Sequence, residues 1–441
     1  MTETVLLVGG GGREHAIARA VEDGAAAVDP RVELYACADN RNPGIVELAD
    51  GFEELDPNDP DEVLTYAEEI DATMAIIGPE APLEAGVTDA LEEAGVFTFG
   101  PRAELARIET DKAFQREFMT EHDIPGCPSF AVFDDPEAAC EHIDEVDHDL
   151  AVKPTGLTGG KGVKVIGEQI SREEAKEYIR SSEYEEFVLE ERLVGEEFTI
   201  QAFVNGKHLR VTPAVQDHKR AREGDRGPNT GGMGSYSAPE LALPFMTEDD
   251  YHEAVDILQS TVEALGDYRG VLYGQFMLTA DGVKVIEYNA RFGDPEAMNT
   301  LPIMNTSIVQ LMLSAKEGTQ WTQLSFAPYA TVCLYAVPSG YPEEPEDGTK
   351  LDIAEVSFDN AILFYASVDE REDGIYTTTS RAFAIVGIGD SIKEAREAAQ
   401  EAMEEVAVDG VDVRYDIGTQ ALIHTRVEHM ERIRPNISVR D

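Results

Sequence analysis

The chain has 441 residues, with 87 Asp and Glu against 35 Lys and Arg, so its formal net charge at pH 7 is −52. Hydrophobic residues make up 42% of it, the content of a folded protein rather than a disordered one, and the length allows roughly two to four domains. Non-specific nucleic-acid binding relies on Lys and Arg displacing counterions, which excludes a general DNA- or RNA-binding role. The charge indicates a solvated acidic surface suited to high salt, as in a halophilic source.

The cysteines and the apolar segments indicate the compartment. The four cysteines, at positions 37, 127, 140 and 333, are far apart and form no Cys-x-x-Cys pair, so neither disulfides nor a structural zinc site is expected. No cationic stretch precedes the first apolar segment, and no apolar stretch approaches the roughly 20 residues that span a bilayer. We therefore expect a cytoplasmic protein without a targeting or membrane segment.

The first hundred residues alternate short apolar runs with helical patterns. Residues 5–8 and 74–77 are continuous apolar runs, and helical patterns cover residues 14–21 and 62–70. Continuous apolar runs are typical of strands buried on both faces of a parallel sheet. Repeated βα units with right-handed crossovers therefore predict a doubly wound α/β domain over residues 1–102.

The pattern changes after a helix that is predicted over residues 103–121. Two short strands, at residues 150–153 and 162–166, flank a glycine-rich loop, and a helix and a further strand follow. This order of elements predicts a small α+β lobe over about residues 125–192.

Two hairpins are predicted next, through Asn205-Gly206 and Asp281-Gly282, because these residues tolerate the positive φ angles of tight turns. They imply an antiparallel sheet. The fold class expected for the whole chain is α/β and α+β, with a central unit over residues 103–328 and a small mixed domain over residues 329–441.

The first candidate site is the glycine turn Gly9-Gly10-Gly11-Gly12-Arg13-Glu14-His15. Backbone amides of a turn that leads into a helix bind anions, and Arg13 adds a positive charge. Asp39 could hold a ribose, but Glu14 or His15 stands where the third glycine of a dinucleotide fingerprint packs. We favour a phosphate-bearing substrate, while a nicotinamide cofactor and a purely structural turn stay open. Gly78-Pro79-Glu80 follows another strand and would open onto the same crevice.

The second candidate is the loop that runs from Lys153 through glycines to Lys161. A flexible glycine loop with a lysine at each end can cover and neutralise the phosphates of a nucleotide. It is not a Walker A loop, because Gly162 follows Lys161 where Ser or Thr is required. An ordinary hairpin with a loose loop is the alternative.

The third candidate lies on the second hairpin. Glu287 and Asn289 are two residues apart on one strand and so face the same way, and Gln275 on the partner strand lies close to them. Carboxylate and amide oxygens suit Mg²⁺, which shares phosphate oxygens with its nucleotide. A solvated acidic edge is the alternative, and the neighbouring Arg291 favours the site.

A basic segment over residues 216–220 leads into a loop over residues 227–234, which reads Gly-Pro-Asn-Thr-Gly-Gly-Met-Gly. A loop this rich in glycine is either disordered or shaped for the close approach of a substrate. Composition alone leaves both interpretations open.

Together these motifs resemble those of the phosphoribosylamine-glycine ligases (glycinamide ribonucleotide synthetases) of the ATP-grasp superfamily. The matching runs are Arg291-Phe292-Gly293-Asp294-Pro295-Glu296, the loop at 227–234 with the basic segment before it, Gly11 to His15, Gly78 to Leu83, and Gly159-Gly160-Lys161-Gly162. They occur in the family's order and extend over essentially the whole chain.

The resemblance implies an N-terminal domain, a central two-lobed ATP-grasp unit that clamps ATP, and a C-terminal domain that closes the site. It also implies a reaction of purine biosynthesis, in which ATP, glycine and 5-phosphoribosylamine give glycinamide ribonucleotide, ADP and phosphate through a glycyl phosphate. The implied cofactors are ATP and Mg²⁺ or Mn²⁺, the implied partners are these small molecules alone, and we expect a monomer or a weak homo-oligomer.

Roles carried over by position complete these expectations. Arg291, Asp294 and Lys161 are the expected catalytic residues, and Gln275, Glu287 and Asn289 the expected metal ligands. ATP is expected to contact Lys112, Lys153, Lys161, Glu190, Glu191, Leu193 and Glu197. The other substrates are expected to contact Gly11, Gly12, Arg13, Glu14, His15, Gly78, Pro79, Glu80, Asp217, Lys219, Arg291 and Asp294.

Two segments depart from the commoner bacterial pattern of the family. Residues 39–44 read Asp-Asn-Arg-Asn-Pro-Gly where a Pro-Gly-Asn turn is expected, and Thr379-Ser380-Arg381 stands where Gly-Gly-Arg is commoner. The alternatives in function are another ATP-grasp ligase such as a purine-pathway carboxylase, a nicotinamide-dependent oxidoreductase, and a non-catalytic nucleotide-binding module.

Overall fold

The computed structural model of the protein describes residues 2–29, 31–156, 162–319, 321, 323–351, 353, 358–406 and 409–435. Within these ranges no helix is long and apolar enough to cross a membrane. Lys161 and most of the glycine-rich loop around it, residues 157–161, lie outside the described residues.

The N-terminal part is a parallel sheet with helices on its faces, as the apolar runs predict. Its elements are β1 (Thr2–Val8), α1 (Gly12–Ala25), β2 (Arg31–Ala38), α2 (Pro43–Leu48), β3 (Gly51–Glu54), α3 (Pro60–Glu69), β4 (Met74–Ile77), α4 (Glu80–Glu84), α5 (Val87–Glu93) and β5 (Phe97–Phe99). The strand order is β3-β2-β1-β4-β5, with every pair parallel. Residues 5–8 of β1 are fully buried, because helices cover both faces of the sheet.

Residues 103–121 form two helices, α6 (Ala103–Thr110) and α7 (Lys112–Glu121), so the prediction of one helix was wrong. Asp111 separates them with an extended backbone, and its carboxylate accepts the N–H of Phe114 at 2.9 Å. Such a side chain caps a helix better than it continues one. The break makes Lys112 the first residue of α7.

The small lobe has its own sheet and its own core. Its elements are β6 (Phe130–Phe133), α8 (Pro136–Glu145), β7 (Leu150–Pro154), β8 (Lys164–Val165), α9 (Arg172–Ser181) and β9 (Phe187–Glu191), with the strand order β6-β9-β7-β8. The inner faces of α8, α9 and these strands form a hydrophobic cluster separate from the main one. The lobe therefore buries its apolar side chains independently of the main core.

A large antiparallel sheet forms the centre of the molecule. The next elements are β10 (Gly195–Asn205), β11 (His208–Val211), β12 (Val215–Asp217), β13 (Arg220–Arg222), β14 (Arg226–Asn229), β15 (Gly234–Ser237), α10 (Glu248–Leu265), β16 (Arg269–Thr279), β17 (Gly282–Asn289), α11 (Glu296–Thr300) and α12 (Ile308–Lys316). Both predicted hairpins are present, but each turn is displaced by one residue, because Asn205 pairs with His208 and Thr279 with Gly282.

The C-terminal part extends this sheet. Its elements are β18 (Ala330–Pro338), β19 (Lys350–Leu351), β20 (Ala361–Tyr365), β21 (Val368–Arg371), β22 (Gly374–Thr377), β23 (Phe383–Gly389), α13 (Ile392–Val406), β24 (Val411–Val413) and α14 (Gln420–Ile433). The large sheet runs β17-β16-β10-β12-β15-β18-β23-β20. Pairing of β15 with β18 therefore joins the central and C-terminal parts by backbone hydrogen bonds.

Candidate active site

The glycine turn after β1 is closed by its own side chains. Glu14 accepts the N–H of Gly11 at 2.8 Å, and its other oxygen lies 2.5 Å from Nε of Arg13. A Cβ on Gly78 would overlap the Glu14 carboxylate, so only glycine at position 78 allows the backbone to lie this close to Glu14. Glu14 is 2% exposed. The structure thus gives Glu14 and Gly78 a packing role, and their predicted contact with substrate stays a prediction.

His15 and Asn42 connect this turn to the C-terminal part. Nδ1 of His15 accepts the N–H of Tyr365 at 2.9 Å, and burial lowers the pKa of His15 to about 3, which keeps the ring neutral. Asn42 is fully buried and donates to the carbonyl oxygens of Gly10 and Tyr365, each at 2.9 Å. Asp39, the residue considered for a ribose, is exposed. The segment in which the sequence departs from the bacterial pattern therefore supplies the contact through Asn42.

Arg291 is clamped between two carboxylates. Its Nε lies 3.2 Å from Glu80, and its Nη2 lies 2.8 Å from Glu109 and donates to Oδ1 of Asn289 at 3.1 Å. Burial opposes ionisation of Glu80, but the charges of Arg291 and Arg13, together with the hydrogen bonds to the carboxylate, outweigh it and lower the pKa of Glu80 to about 2. Burial instead raises the pKa of Glu109 to about 7. Arg291 thus orients Asn289 and ties the N-terminal part to the end of β17.

Asp294 is held by two residues of the C-terminal part. Tyr335 donates its hydroxyl to Oδ1 at 2.7 Å, and Nη2 of Arg381 lies 3.1 Å from Oδ2. Arg381 also donates to the carbonyl oxygens of Gly231 and Gly232, at 2.9 and 3.1 Å, and its guanidinium stacks over the Tyr335 ring. The arginine of the unusual Thr-Ser-Arg run therefore contacts both Asp294 and the loop at residues 227–234.

Lys153 and Glu190 form a buried ion pair on the small lobe. Nζ of Lys153 lies 2.7 Å from Oε2 of Glu190 and donates to the carbonyl oxygen of Ile286 at 3.0 Å. Arg116 of α7 pairs with the same carboxylate at 2.7 Å. The Glu190 side chain is therefore fully engaged by two cations, which leaves the backbone of this segment as the expected adenine contact.

The remaining predicted nucleotide contacts lie around this pair. Lys112 donates to the carbonyl oxygen of Gly156 at 2.7 Å, at the start of the glycine-rich loop. Glu191 accepts the N–H of Ser129 at 2.8 Å, and Glu197 accepts from Nε2 of Gln275 at 2.8 Å. Leu193 lies in the irregular segment between β9 and β10. The contacts of these residues with ATP stay predictions.

The three predicted metal ligands lie at the β16–β17 hairpin. A bulge at Ile286 makes Gln275 the cross-strand partner of Glu287; without the extra residue Gln275 would pair with Ile286 instead. Oε1 of Gln275 accepts from Nζ of Lys219 at 2.8 Å, and that ammonium lies 4.0 Å from Oε1 of Glu287.

Glu287 is the residue whose carboxylate best fits a cation. Within the described ranges no hydrogen bond reaches its side chain, and burial is outweighed by Lys219, Lys153 and Lys112, which lower the pKa of Glu287. The described residues contain no cluster of three His, Cys, Asp or Glu that could hold a metal. The oxygen-only set of Gln275, Glu287 and Asn289 fits Mg²⁺, a hard cation that keeps several waters and shares phosphate oxygens.

Asp217 is the last residue of β12, and the charge of Lys219 acts on its carboxylate. Its Oδ1 accepts the N–H of His218 at 2.7 Å. Burial and then the charge of Glu296 raise the pKa of Asp217 well above its usual range, against the opposing charges of Lys219 and Arg381.

Sequence reasoning missed several residues here, namely Arg116, Glu109, Tyr335 and Asn42. The one available signal was the spacing of Arg116, four residues after Lys112 and so on the same face of α7.

Comparison with known proteins agrees with this architecture. Three family models match, described as the N domain of phosphoribosylglycinamide synthetase at residues 3–109, its ATP-grasp (A) domain at 110–297 and its C domain at 331–420. The phosphoribosylamine-glycine ligase of Methanopyrus kandleri is 52% identical over 98% of this chain and 99% of its own length. That of Methanococcoides burtonii is 49% identical with the same coverage.

Solved structures give the same picture. The crystal structure of the phosphoribosylamine-glycine ligase from Thermotoga maritima has a TM-score of 0.79 and 28% identity, and the match covers 94% of this chain and all of that one. The biotin carboxylase domain of Hydrogenobacter thermophilus 2-oxoglutarate carboxylase has a TM-score of 0.74 over 98% of this chain and 97% of its own; at 17% identity this likeness is one of fold alone.

The match of the ATP-grasp domain model to residues 110–297 and the two-lobed unit that these residues form define an ATP-grasp enzyme, and the expected fold class is confirmed. Within that class the chain belongs to the phosphoribosylamine-glycine ligase family, on nearly full-length identity of about half.

Proposed function

We propose that the protein joins glycine to 5-phosphoribosylamine at the expense of ATP, giving glycinamide ribonucleotide, ADP and phosphate in purine biosynthesis. The single observation that carries this is the convergence of the positive charges of Lys219, Lys153 and Lys112 on the Glu287 carboxylate, in a chain with a net charge of −52. Together with membership of the family, this charge cluster supports a site for nucleotide phosphates and a metal ion.

In the first step a carboxylate oxygen of glycine attacks the γ-phosphorus of ATP in line, and ADP leaves. Lys153 and Lys112 would bind the nucleotide phosphates, and Lys219 would stabilise charge on the transferred group. Gln275, Glu287 and Asn289 would hold Mg²⁺, which neutralises phosphate charge and fixes phosphate geometry when bound. Mn²⁺ is proposed as an alternative cation at the same oxygens. Lys161 is proposed to contact these phosphates as well.

In the second step the amine nitrogen of phosphoribosylamine attacks the carbonyl carbon of glycyl phosphate. Phosphate leaves, and the nitrogen loses one proton. No side-chain nucleophile is needed, so catalysis would consist of positioning and electrostatics. Asp294, held between Tyr335 and Arg381, is proposed to orient the glycine end together with Asp217. Arg291 would act through Asn289, which its guanidinium orients.

The glycine turn is proposed as the binding site of the ribose phosphate. Gly12 begins α1, where backbone N–H groups attract anions, and Gly11 precedes it with its own N–H donated to Glu14. Arg13, whose Nη1 donates to the carbonyl oxygen of Phe292 at 3.3 Å, links this turn to the segment that holds Asp294. Glu14, His15, Gly78, Pro79 and Glu80 would shape that pocket.

The test is phosphate release from ATP in about molar KCl, with glycine and fresh phosphoribosylamine each present or omitted. Release that requires both substrates supports the ligase. Release with a different carboxylate would keep the ATP-grasp class and overturn the substrates, and no release under any of these conditions would overturn the function.

Adaptation to high salt, a cytoplasmic location and a monomeric or weakly associated state are proposed with this function. The acidic charge supports the first, since self-repulsion is screened only when ions are abundant. A melting temperature that fails to rise between 0.1 M and about 2 M KCl would contradict it. Sedimentation at the higher salt concentration tests the oligomeric state.

A further inference from the structure

Arg116 is among the largest fully buried side chains of the described structure, at 1% exposure. It lies on α7 one helical turn after Lys112, so both cations face the same way. A guanidinium is rarely buried without a structural or functional reason, because desolvation of its charge costs several kcal/mol. The contacts of Arg116 supply the reason.

The guanidinium of Arg116 grips Glu190 as a fork. Nε lies 2.7 Å from Oε1 of Glu190, and Nη2 lies 3.0 Å from Oε2. Lys153 contacts Oε2 of the same carboxylate at 2.7 Å. Two parallel hydrogen bonds fix the plane of the carboxylate, and the carboxylate in turn fixes the ammonium of Lys153.

The fork also reaches the large sheet. Nη2 of Arg116 donates to the carbonyl oxygens of Val285 and Ile286, at 3.2 and 2.6 Å. Ile286 is the extra residue of the bulge that precedes Glu287 and has no cross-strand partner in the register of β16 and β17. Lys153 donates to the same carbonyl at 3.0 Å. Arg116 and Lys153 therefore meet at two shared acceptors, one on each lobe.

The three side chains of Arg116, Lys153 and Glu190 carry a net positive charge. Arg116 and Lys153 carry two positive charges against the one negative charge of Glu190. Burial opposes that negative charge, but Arg116 and then Lys153 outweigh it and lower the pKa of Glu190. Without Arg116, Lys153 and Glu190 would neutralise each other and leave no positive charge for an anionic ligand.

We propose that Arg116 is a positioning residue of the nucleotide site: it neutralises Glu190 and anchors it to the bulge carbonyls, so that Lys153 is held in place with its charge available to the phosphates of ATP. This inference rests on the proposed nucleotide site and extends it to a residue that touches no substrate. We therefore expect the charge of Arg116 and its two-pronged hydrogen bonding to make separate contributions to nucleotide binding.

The test compares Arg116→Gln and Arg116→Lys with the wild-type enzyme. Arg116→Gln should raise both the KM for ATP and the Kd for MgADP about tenfold, which corresponds to the loss of one hydrogen bond to a charged group. The KM for glycine should stay within about twofold of the wild-type value. Arg116→Lys, which keeps the charge, should recover part of that loss. The matched control is Arg180→Gln, since Arg180 forks Glu137 at 2.8 and 2.7 Å on the exposed surface of the same lobe. This control should leave every constant unchanged.

A double variant separates positioning from general stability. In Arg116→Gln/Glu190→Gln the uncompensated carboxylate is gone, so MgADP should bind more tightly than to Arg116→Gln alone. If the double variant binds as weakly as the single one, or if all kinetic constants change together, the proposal is wrong. If Arg116→Gln does not fold, the wild-type enzyme is the reference: Arg116→Lys should bind MgADP more weakly than the wild type, and equal binding by the two would overturn the proposal.

The MgADP measurement also keeps this inference distinct from the proposed reaction. Weaker MgADP binding by Arg116→Gln supports the role of Arg116 even if glycine and phosphoribosylamine prove not to be the substrates. Unchanged MgADP binding overturns that role even if the ligase activity is established.

Discussion

The hydroxyl of Tyr335 donates to Oδ1 of Asp294 at 2.7 Å, across the boundary between the C-terminal strand β18 and the segment that follows β17. Arg381 lies on the other oxygen of the same carboxylate. The C-terminal part thus fixes the orientation of a residue proposed to hold glycine, although Asp294 itself belongs to the central part.

Loss of the Tyr335 hydroxyl should impair catalysis. Tyr335→Phe leaves Asp294 with Arg381 alone, so kcat/KM for glycine should fall about tenfold, the value of one hydrogen bond to a charged group. Steady-state phosphate release checks this. The matched control is Tyr376→Phe, which removes a hydroxyl bound to Asp373 at 2.8 Å on the exposed surface. Equal effects of the two substitutions would contradict a specific role for Tyr335.

Removal of the metal, or of the carboxylate proposed to bind it, should abolish turnover. Chelation by EDTA should stop phosphate release, and Mg²⁺ should restore it. Glu287→Gln should raise the Mg²⁺ concentration for half-maximal rate at least about tenfold, a loss that even changes outside the direct ligands can cause. Glu370→Gln, at an exposed pair with Arg41, serves as the control. A Mg²⁺ requirement that is the same in both variants would remove Glu287 from the ligand set.

The close approach of Gly78 and Glu14 should make position 78 intolerant of a side chain. Gly78→Ala should lower the free energy of unfolding by about 1–3 kcal/mol, because the new methyl group overlaps a buried carboxylate. Urea unfolding measures this loss. In a Glu14→Ala background the same substitution should cost little, since the overlap is gone. An equal cost in both backgrounds would show that the contact does not explain the glycine.

Two buried histidines should make the protein less stable in acid. Burial lowers the pKa of His218, and of His15, to about 3, against an ordinary value of 6.5. Between these values each ring binds a proton only when the chain unfolds. Stability is therefore fully present above pH 6.5 and is lost as the pH falls towards 3, by up to ~1.4 kcal/mol per pH unit for each ring.

His218→Phe tests this dependence, because both ring nitrogens of His218 are buried without a hydrogen-bond partner among the described residues. The charges facing that ring are those of Asp225, Asp416, Arg414 and Arg426. The slope of the unfolding free energy between pH 6 and pH 4 should become shallower in the variant. His424→Phe, on the exposed face of α14, should leave the slope unchanged. A slope that His218→Phe does not alter would contradict the prediction.

Sequence patterns predicted the elements whose signals are local. The apolar run at residues 74–77 is β4 to the residue, because full burial on both faces requires an unbroken run. The hairpin that carries Glu287 was predicted from its turn residues, and the pairing of Gln275 with Glu287 was expected nearly in register. Pairing in register depends on the bulge at Ile286, for which the sequence has no clear signal.

Contacts between distant parts of the chain could not be predicted from local sequence patterns. Arg116 meets Glu190 across 74 positions and Ile286 across 170, and neither partner has a periodicity that indicates the other. Burial of a charged residue depends on partners that only the assembled fold provides. For the same reason the sequence did not indicate the partners of Arg291, which the fold surrounds with Glu80, Glu109 and Asn289; its contact with substrate stays a prediction.

The pairing of β15 with β18 determines how a fragment without the C-terminal part would behave. Strand β15 directly follows the loop at residues 227–234. Strand β18 pairs with the outer edge of β15 from Gly234 to Ser237. A fragment that ends before β18 would expose a row of unpaired N–H and C=O groups, the kind of edge along which separate molecules add to one another. The fragment would therefore tend to aggregate, and the C-terminal part protects the central sheet from self-association as well as completing its site.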